Sequence, residues 1–359
     1  MKVIDALDWS NWKNYSVSTK RDLFSQILAY YVSPLKQVSN ITLSQFELAG
    51  VKCETFEVNL DEETFVFLPG KKGAILGWDS GTQPLPAFYW DMKNAIYTKK
   101  VQDYQKNYGL QTTEEWDVFI NESTSSLRQV DVAPMLVAKY ALPVGCSYLG
   151  EFHAVTGEFI GTLDEFAKYE EQIKQALTPP QNFEDSLFFE FPNELFHENQ
   201  FYAKLNPELE SYTVYSHQLC TQEQLRKSLQ KEVMDLMNED QWEYAVGGTT
   251  RRLFRWGNEL LEDHSFWKNQ IHKIVSRQNM FGLSFAGDLK QFEITADQQL
   301  KLDQWEYCQI PLLDYLPLST YYRPRKSISP FEVLSPKDYT WILYKSDAAD
   351  EGLGESTWG

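Results

Sequence analysis

The sequence contains few of the residue types that hold soft metal ions or carry redox chemistry. Its 359 residues include four cysteines and five histidines, and the cysteines lie far apart with no Cys-x-x-Cys pair. That spacing excludes a zinc ribbon and a dithiol redox site. No His-x3-His pair is present either. We therefore expect four reduced thiols, most of them buried as small apolar side chains.

Long hydrophobic runs are also missing. No stretch approaches the roughly 20 consecutive apolar residues of a membrane-spanning helix. The first residues of the chain include Asp5 and Asp8 and lack the apolar core of a secretory signal. These absences favour a cytoplasmic protein without a membrane partner.

Positive charge is in deficit. Lys and Arg number 33 against 51 Asp and Glu, which gives a formal net charge of −18. Such a field repels phosphate backbones, so nucleic acid is not an expected partner. The densest basic clusters are interpreted as surface salt-bridge partners: Arg251, Arg252 and Arg255 in one, and Arg323, Arg325 and Lys326 in the other.

Aromatic side chains, in contrast, are abundant, with 11 Trp, 20 Tyr and 22 Phe. They provide core material for one large domain or two ordinary ones. Apolar residues recur with helical spacing over residues 19–32 and with a period of two over residues 55–78, where Pro69–Gly73 is the predicted turn of a hairpin. A short helix is predicted to open at Thr113, and the apolar run Leu187–Phe191 is predicted to be a buried strand. Because helices and strands do not alternate regularly, the pattern predicts an α+β fold rather than a doubly wound parallel sheet.

The most informative segment runs from Asn238 to Asn258. Asn238 and Gln241 have the spacing of a capping box, which predicts a helix that continues to Gly247. Within this helix, Trp242 is predicted to be a core residue. Glu243 is predicted to pair with an arginine in 251–255.

Four blocks, taken in order, resemble the formylglycine-generating-enzyme family, also called sulfatase-modifying factors. The blocks are Phe65–Gly70 with Leu76-Gly77, Val130–Val144, Gln241–Ala245 with Trp256-Gly257-Asn258, and Asn279–Leu283 through Gly287-Asp288. The resemblance implies an α+β, C-type-lectin-like domain over residues 55–359. It also implies an N-terminal helical extension over residues 1–54 and an insertion near residues 150–230.

Departures from the family pattern affect both metal sites that the resemblance implies. The family's copper-binding cysteine pair is missing because Cys308 stands alone, and one thiolate does not replace two. Copper is therefore not an expected cofactor. In the calcium-associated block, Gln291 occupies the position of an acid and Lys290 adds a repelling charge. Asp288 and Glu293 remain as the candidate calcium ligands.

A tyrosine- and arginine-rich segment supplies the candidate binding residues. Tyrosine and arginine are enriched among interface anchors, and the resemblance places this segment where catalytic relatives bind peptide. Ordinary packing of a polar loop is the alternative interpretation. The candidates are Trp305, Tyr315, Tyr321, Tyr322, Arg323 and Arg325.

These features lead to three functional hypotheses. The first is a non-catalytic binding protein that keeps the family scaffold, has lost its metal chemistry, and recognises a protein or a small ligand. The second is a metal-dependent oxidase or oxygenase with altered ligands. The third is a structural or inhibitor-like protein whose acidic field steers a basic target. No catalytic residue and no oligomeric state are assigned.

Overall fold

The computed structural model describes residues 3–61, 63–206, 210–260, 277–285 and 290–345. The chain divides into two compact units. Unit 1 comprises Met1–Ala141, Arg226–Pro330 and Thr340–Gly359, and unit 2 comprises Leu142–Leu225 and Phe331–Tyr339. Helices and strands occur together in several sheets, so the predicted α+β class is confirmed.

The helices are short, apart from one in the N-terminal region. Single 3-10 turns span Ala87–Trp90 and Leu316–Leu318. The α-helices are Val3–Ala6 (α1), Trp9–Trp12 (α2), Val17–Tyr31 (α3), Lys99–Tyr108 (α4), Thr113–Glu122 (α5), Leu163–Phe166 (α6), Glu170–Leu177 (α7), Phe183–Ser186 (α8), Gln222–Lys231 (α9), Glu239–Gly247 (α10) and Pro311–Tyr315 (α11).

The strands range from two to eleven residues. They are Val38–Leu48 (β1), Val51–Leu60 (β2), Glu63–Leu68 (β3), Lys71–Leu76 (β4), Arg128–Val132 (β5), Met135–Ala138 (β6), Leu142–Pro143 (β7), Cys146–His153 (β8), Phe159–Gly161 (β9), Glu194–His197 (β10), Phe201–Asn206 (β11), Ser211–His217 (β12), Cys220–Thr221 (β13), Asp235–Leu236 (β14), Phe292–Ile294 (β15), Leu300–Lys301 (β16), Val333–Leu334 (β17), Tyr339–Trp341 (β18) and Leu343–Lys345 (β19).

The main sheet of unit 1 has six strands in the order β1-β2-β3-β6-β19-β14. The predicted strands are confirmed, and Phe56, Val58, Phe65 and Phe67 are all buried. The period-two alternation does not extend through β3, because Val66 and Leu68 are fully buried as well. The predicted hairpin through Pro69–Gly73 is wrong. β3 pairs with β2 and β6, whereas β4 pairs with β5. The turn residues have suitable local chemistry, but the strands on either side find distant partners.

The N-terminal region is helical only in part. α3 begins at Val17 because the Ser16 Oγ accepts a hydrogen bond from the Thr19 amide, 3.2 Å away. Beyond α3, β1 and the start of β2 form an antiparallel hairpin. The helical character predicted for residues 1–54 therefore ends at Tyr31.

In α10 the local signals predict the structure well. The Asn238 side chain accepts from the Gln241 amide, and the Gln241 side chain accepts from the Asn238 amide, each at 2.9 Å. The helix ends at Gly247 and is capped by Gly248, whose φ of +57° is left-handed. Trp242 is 1% exposed, so the prediction of a core tryptophan is confirmed.

Unit 2 is built on a five-stranded antiparallel sheet in the order β10-β11-β12-β8-β9. Its core consists of Leu149, Phe152, Phe166, Ile173, Leu177, Phe201, Ala203, Tyr212 and Val214, which join this sheet to α6 and α7. The predicted buried strand at Leu187–Phe191 is wrong. This segment is not a strand and Phe188 is 84% exposed, since an apolar run without periodicity does not define its own environment.

Within the described residues, the structure contains no helix with the length and apolarity needed to cross a bilayer.

Candidate functional site

A buried ion pair lies beneath the most informative sequence segment. The Lys301 ammonium contacts Glu243 at 2.6 Å and Glu239 at 2.8 Å, and it lies 5.5 Å from the centre of the Trp242 ring. The side chains of Lys301 and Glu243 are fully buried. Because an isolated buried charge is costly, each of these groups depends on its partners.

Two arginines extend this ion pair into a network. Arg128 Nη2 lies 2.6 Å from Asp240 and 3.1 Å from Glu243, and Arg323 Nε donates to Glu239 at 2.8 Å. Burial raises the pKa of Glu239, but the hydrogen bonds and charges of Arg323 and Lys301 outweigh it and hold the pKa at about 2. Glu239 is therefore ionised at neutral pH.

The predicted partner of Glu243 is wrong. Its cationic partners are Arg128 and Lys301, which come from β5 and β16. The prediction placed that partner in the arginine-rich segment after α10. There Arg251 instead pairs with Asp79 at 3.3 Å, which confirms a surface salt bridge for that residue. Arg252 donates to the Ala49 carbonyl.

A separate cleft opens on the surface of unit 1 beside Arg251. Its volume is about 370 Å³, within the range of small-molecule sites. Six of the described residues line it, and they supply an indole, a hydroxyl, two amides, a guanidinium and a pyrrolidine ring. We name it the Trp78 cleft after its buried aromatic wall, and its lining is Trp78, Ser80, Gln83, Pro84, Arg251 and Asn258.

Side chains of α5 hold one wall of the Trp78 cleft. The Trp78 indole donates to the Gly81 carbonyl at 3.1 Å, and the Gly81 amide donates to Asn121 at 3.0 Å. Asp117 accepts from both the amide and the hydroxyl of Thr82, at 2.6 and 2.7 Å. Since these bonds fix two successive residues of the loop after Trp78, Gly81 and Thr82, this wall is preformed.

The wall that contains Arg251 follows a segment of strained backbone. After the left-handed Gly248, Thr249 and Arg251 also have positive φ values, +60° and +54°. For a β-branched residue such as Thr249 this conformation is a genuine outlier. Strain of this kind costs about 1–3 kcal/mol per residue and is concentrated at functional sites. This strained segment places Arg251 at the cleft, and we therefore infer that Arg251 is a candidate functional residue.

Behind Trp78 lies a group of buried hydroxyls. Tyr321 stacks on Trp78 with ring centres 6.4 Å apart. Among the described residues, the hydroxyls of Ser125, Thr320 and Tyr321 are buried and have no hydrogen-bond partner. Burial and the charge of Glu243 raise the pKa of Tyr321, so its phenol stays protonated. Three unsatisfied hydroxyls in one region are unusual for a packed core.

The main chains of Ser125, Thr320 and Tyr321 form hydrogen bonds that reach both walls of the cleft. The Trp78 amide donates to the Ser125 carbonyl, and the Ser125 amide donates to the Tyr321 carbonyl. On the other side, the Thr320 amide donates to Leu253, whose own amide donates to Asn258 Oδ1 at 2.7 Å. The Thr320-Tyr321 pair therefore links the tryptophan wall to the asparagine wall.

Gly77 offers a test of how tightly the tryptophan wall is held. Its φ is +89°, and a Cβ there would overlap the Ser126 carbonyl. We expect Gly77→Ala to lower the free energy of unfolding by about 2–4 kcal/mol in urea titrations. Gly50→Ala is the matched control, because Gly50 has a φ of +79° with open space around it. Equal losses in the two variants would contradict close packing at Gly77.

The structure does not gather the predicted binding residues into one surface. The three phenols are buried, which corrects the expectation of an exposed tyrosine surface. Tyr315 and Tyr322 belong to the apolar core, and Tyr321 lies behind the Trp78 cleft. Their burial follows from the apolar residues beside them, since Leu312, Leu313, Leu316 and Leu318 pack in the same core.

The other three candidates are separated from one another. Arg323 binds Glu239, and the Arg325 guanidinium lies 5.3 Å from the ring centres of both Tyr104 and Tyr108. Trp305 is partly buried against the core. A binding role for these three side chains stays a prediction.

The predicted calcium ligands are described only in part. Asp288 lies outside the described residues. Glu293 is fully buried and its Oε1 accepts from the Trp242 indole at 2.7 Å. Within the described residues, no three side chains of His, Cys, Asp or Glu come together as a metal site. Calcium binding stays a prediction.

Cys308 is buried beside Asp314, whose carboxylate accepts from the Cys308 amide at 2.7 Å. Burial, together with the Asp314 charge, raises the pKa of the Cys308 thiol. The thiol is therefore protonated and unreactive at neutral pH, because the thiolate is the nucleophilic form.

Sequence reasoning did not identify the Trp78 cleft. Arg251 was predicted to be a surface cation, but nothing in the sequence connected it or Asn258 to residues 78–84. A usable signal was the Trp78-Asp79-Ser80-Gly81 sequence, in which a large aromatic residue directly precedes a polar turn. Turns that present an aromatic side chain are common, so this signal is weak without the structure.

Residues 147–216 match a family described as a profilin-like domain of unknown function (DUF7278). This segment covers β8 to β12 of unit 2. No curated protein matches the chain.

The match overturns the predicted formylglycine-generating-enzyme, or sulfatase-modifying-factor, assignment. The profilin-like segment coincides with much of the region that was predicted to be an insertion near residues 150–230. The block that resembled the family most, which ends in Trp256-Gly257-Asn258, is a short combination of tryptophan, glycine and asparagine. Such combinations reflect turn chemistry that unrelated folds share.

Proposed function

We propose that this protein binds a small molecule in the Trp78 cleft of unit 1 and acts as a binding protein rather than as a catalyst. The observation that carries the proposal is the preformed cleft of about 370 Å³, whose lining mixes one aromatic wall with polar groups. Ligand sites combine apolar walls with placed polar groups, and here two apolar side chains lie beside four polar ones. The proposal requires neither the formylglycine-generating-enzyme family nor its lectin-type fold.

Two further features support the proposal that the Trp78 cleft binds a ligand. Positive-φ backbone at Thr249 and Arg251 holds the Arg251 side chain at the cleft, and backbone strain of this kind is often found at functional sites. The Tyr321 ring stacks on the aromatic wall, and its buried hydroxyl has no hydrogen-bond partner among the described residues. Polar groups of this kind are usually retained where they serve a purpose other than stability.

The cleft can be tested through the Trp78 indole N–H signal in NMR spectra, assigned with Trp78→Phe. We expect at least one of four compound classes, namely sugars, amines, nucleosides and organic acids, to shift this signal. Ser80→Trp should abolish the shift by filling the cleft. Ser25→Trp, on the exposed surface of α3, should leave it unchanged.

Two results would overturn the proposal. One is that no compound class moves the Trp78 signal. The other is a shift that persists unchanged in Ser80→Trp, which would place the compound elsewhere on the protein.

A further inference from the structure

Two residues of the Trp78 cleft, Arg251 and Asn258, offer it hydrogen-bond donors, whereas the Ser80 hydroxyl already donates to Asp79. Asn258 Oδ1 already accepts from the Leu253 amide, so its remaining amide hydrogens are the donors it presents. The Arg251 guanidinium carries five N–H donors and no acceptor. A donor-rich cleft fits a ligand group that carries only acceptors.

Arg251 is only partly engaged by the protein. Among the described residues its ion-pair partner is Asp79, whose Oδ1 lies 3.3 Å from Nη2, and the two side chains are 49% and 52% exposed. An exposed pair of this kind is worth little, so a competing anion can replace or join Asp79. The planar guanidinium matches a carboxylate through two parallel hydrogen bonds.

The remaining lining favours a flat organic body attached to that anion. Trp78 and Pro84 provide the apolar surfaces of the cleft, while Gln83 and Ser80 add polar contacts. An inorganic anion would use the guanidinium and leave these apolar surfaces without a partner. A planar ring that bears an acidic group uses both.

From these observations we propose that the ligand of the Trp78 cleft is a small organic carboxylate, held by Arg251 and Asn258 against Trp78. This inference rests on the proposed binding function and narrows it to one ligand class. The net charge of −18 does not prevent it. At physiological ionic strength the Debye length is about 8 Å, so nearby donors outweigh distant acids.

Benzoate and benzamide are suitable probes because they share a planar shape and differ in charge. We expect benzoate to bind more tightly than benzamide when both are titrated against the Trp78 indole signal. Arg251→Met should weaken benzoate binding by about tenfold or more, as for a lost charge-assisted hydrogen bond. Arg252→Met, which removes the same charge one residue away, should have no such effect.

Asp79→Asn is a second variant, and its expected effect on benzoate affinity is opposite to that of Arg251→Met. It removes the carboxylate that competes for Arg251, so benzoate should bind more tightly than in the wild type. Weaker binding of benzoate in Asp79→Asn would contradict the proposal.

The outcomes separate the ligand class from the binding function. If benzoate and benzamide bind equally and Arg251→Met changes neither, the carboxylate assignment fails while the cleft remains a ligand site. If neither probe moves the Trp78 signal at about 10 mM, where even weak binding registers, the carboxylate assignment fails. The tests with sugars, amines and nucleosides then decide whether the proposed binding function fails as well.

Discussion

Replacing Lys301 with methionine is expected to lower the free energy of unfolding by about 3–5 kcal/mol. The Lys301 side chain is fully buried and neutralises Glu243 and Glu239 at 2.6 and 2.8 Å. Without it, Glu243 keeps Arg128 at 3.1 Å but loses its nearest cation. The loss should be measured in urea unfolding followed by tryptophan fluorescence.

Two further variants separate charge from packing at this site. Adding Glu243→Gln to Lys301→Met should recover part of the loss, because it removes the buried charge that Lys301 neutralised. Lys36→Met is the control, since Lys36 pairs with Asp61 and Glu232 near the surface. It should cost less than about 1 kcal/mol. Equal losses for Lys36→Met and Lys301→Met would show that the buried network adds no stability.

The second large effect concerns pH. Burial raises the pKa of Asp314 to about 7, against the opposing hydrogen bonds from Cys308 and the charge of Lys100. The folded-state pKa is therefore above the unfolded value of about 3.9. Its contribution to stability is present below about pH 4 and is lost as the pH rises through about 7. At pH 8 the buried carboxylate opposes folding.

Asp314→Asn should remove this penalty. The asparagine keeps an acceptor for the Cys308 amide but carries no charge. We expect the variant to gain stability relative to the wild type between pH 4 and pH 8, by a few kcal/mol at about 1.4 kcal/mol per pKa unit. Urea unfolding at several pH values measures the difference. Parallel profiles for the two proteins would contradict the prediction.

Asp61 supplies a control of opposite sign. The hydrogen bond from Lys36 lowers the pKa of Asp61, so its contribution is lost as the pH falls through the folded-state pKa. The effect of Asp61→Asn should therefore be largest at neutral pH and should vanish in acid. A pH dependence in the same direction as that of Asp314→Asn would contradict both assignments.

Much of the local structure could be predicted from the sequence. The burial of Trp242 follows from its large apolar side chain. The capping box of Asn238 and Gln241 depends on contacts within a few residues. The helix at Thr113–Glu122 was predicted from its first turn in the same way, and Thr112 with Glu115 completes its capping box. Such features rely on hydrogen bonds and periodicities that short segments specify by themselves.

The strand pairings could not be predicted in this way. The turn at Pro69–Gly73 has suitable residues, yet β3 and β4 do not pair with each other. Gly70 explains why, since its Cα passes so close to Val132 and Pro134 that a Cβ would overlap their backbone. This close approach of Gly70 to Val132 and Pro134 exists only after the sheets have packed.

The sequence by itself determined an α+β protein with a large aromatic core, an acidic surface and no paired cysteines. It also determined where α10 begins and ends. The tertiary structure alone decided which cations neutralise Glu243 and which residues meet at the Trp78 cleft. The physical reason is distance along the chain. Capping and periodicity act within one or two turns, whereas Trp78, Arg251 and Tyr321 come together only after strand register and loop strain have been fixed.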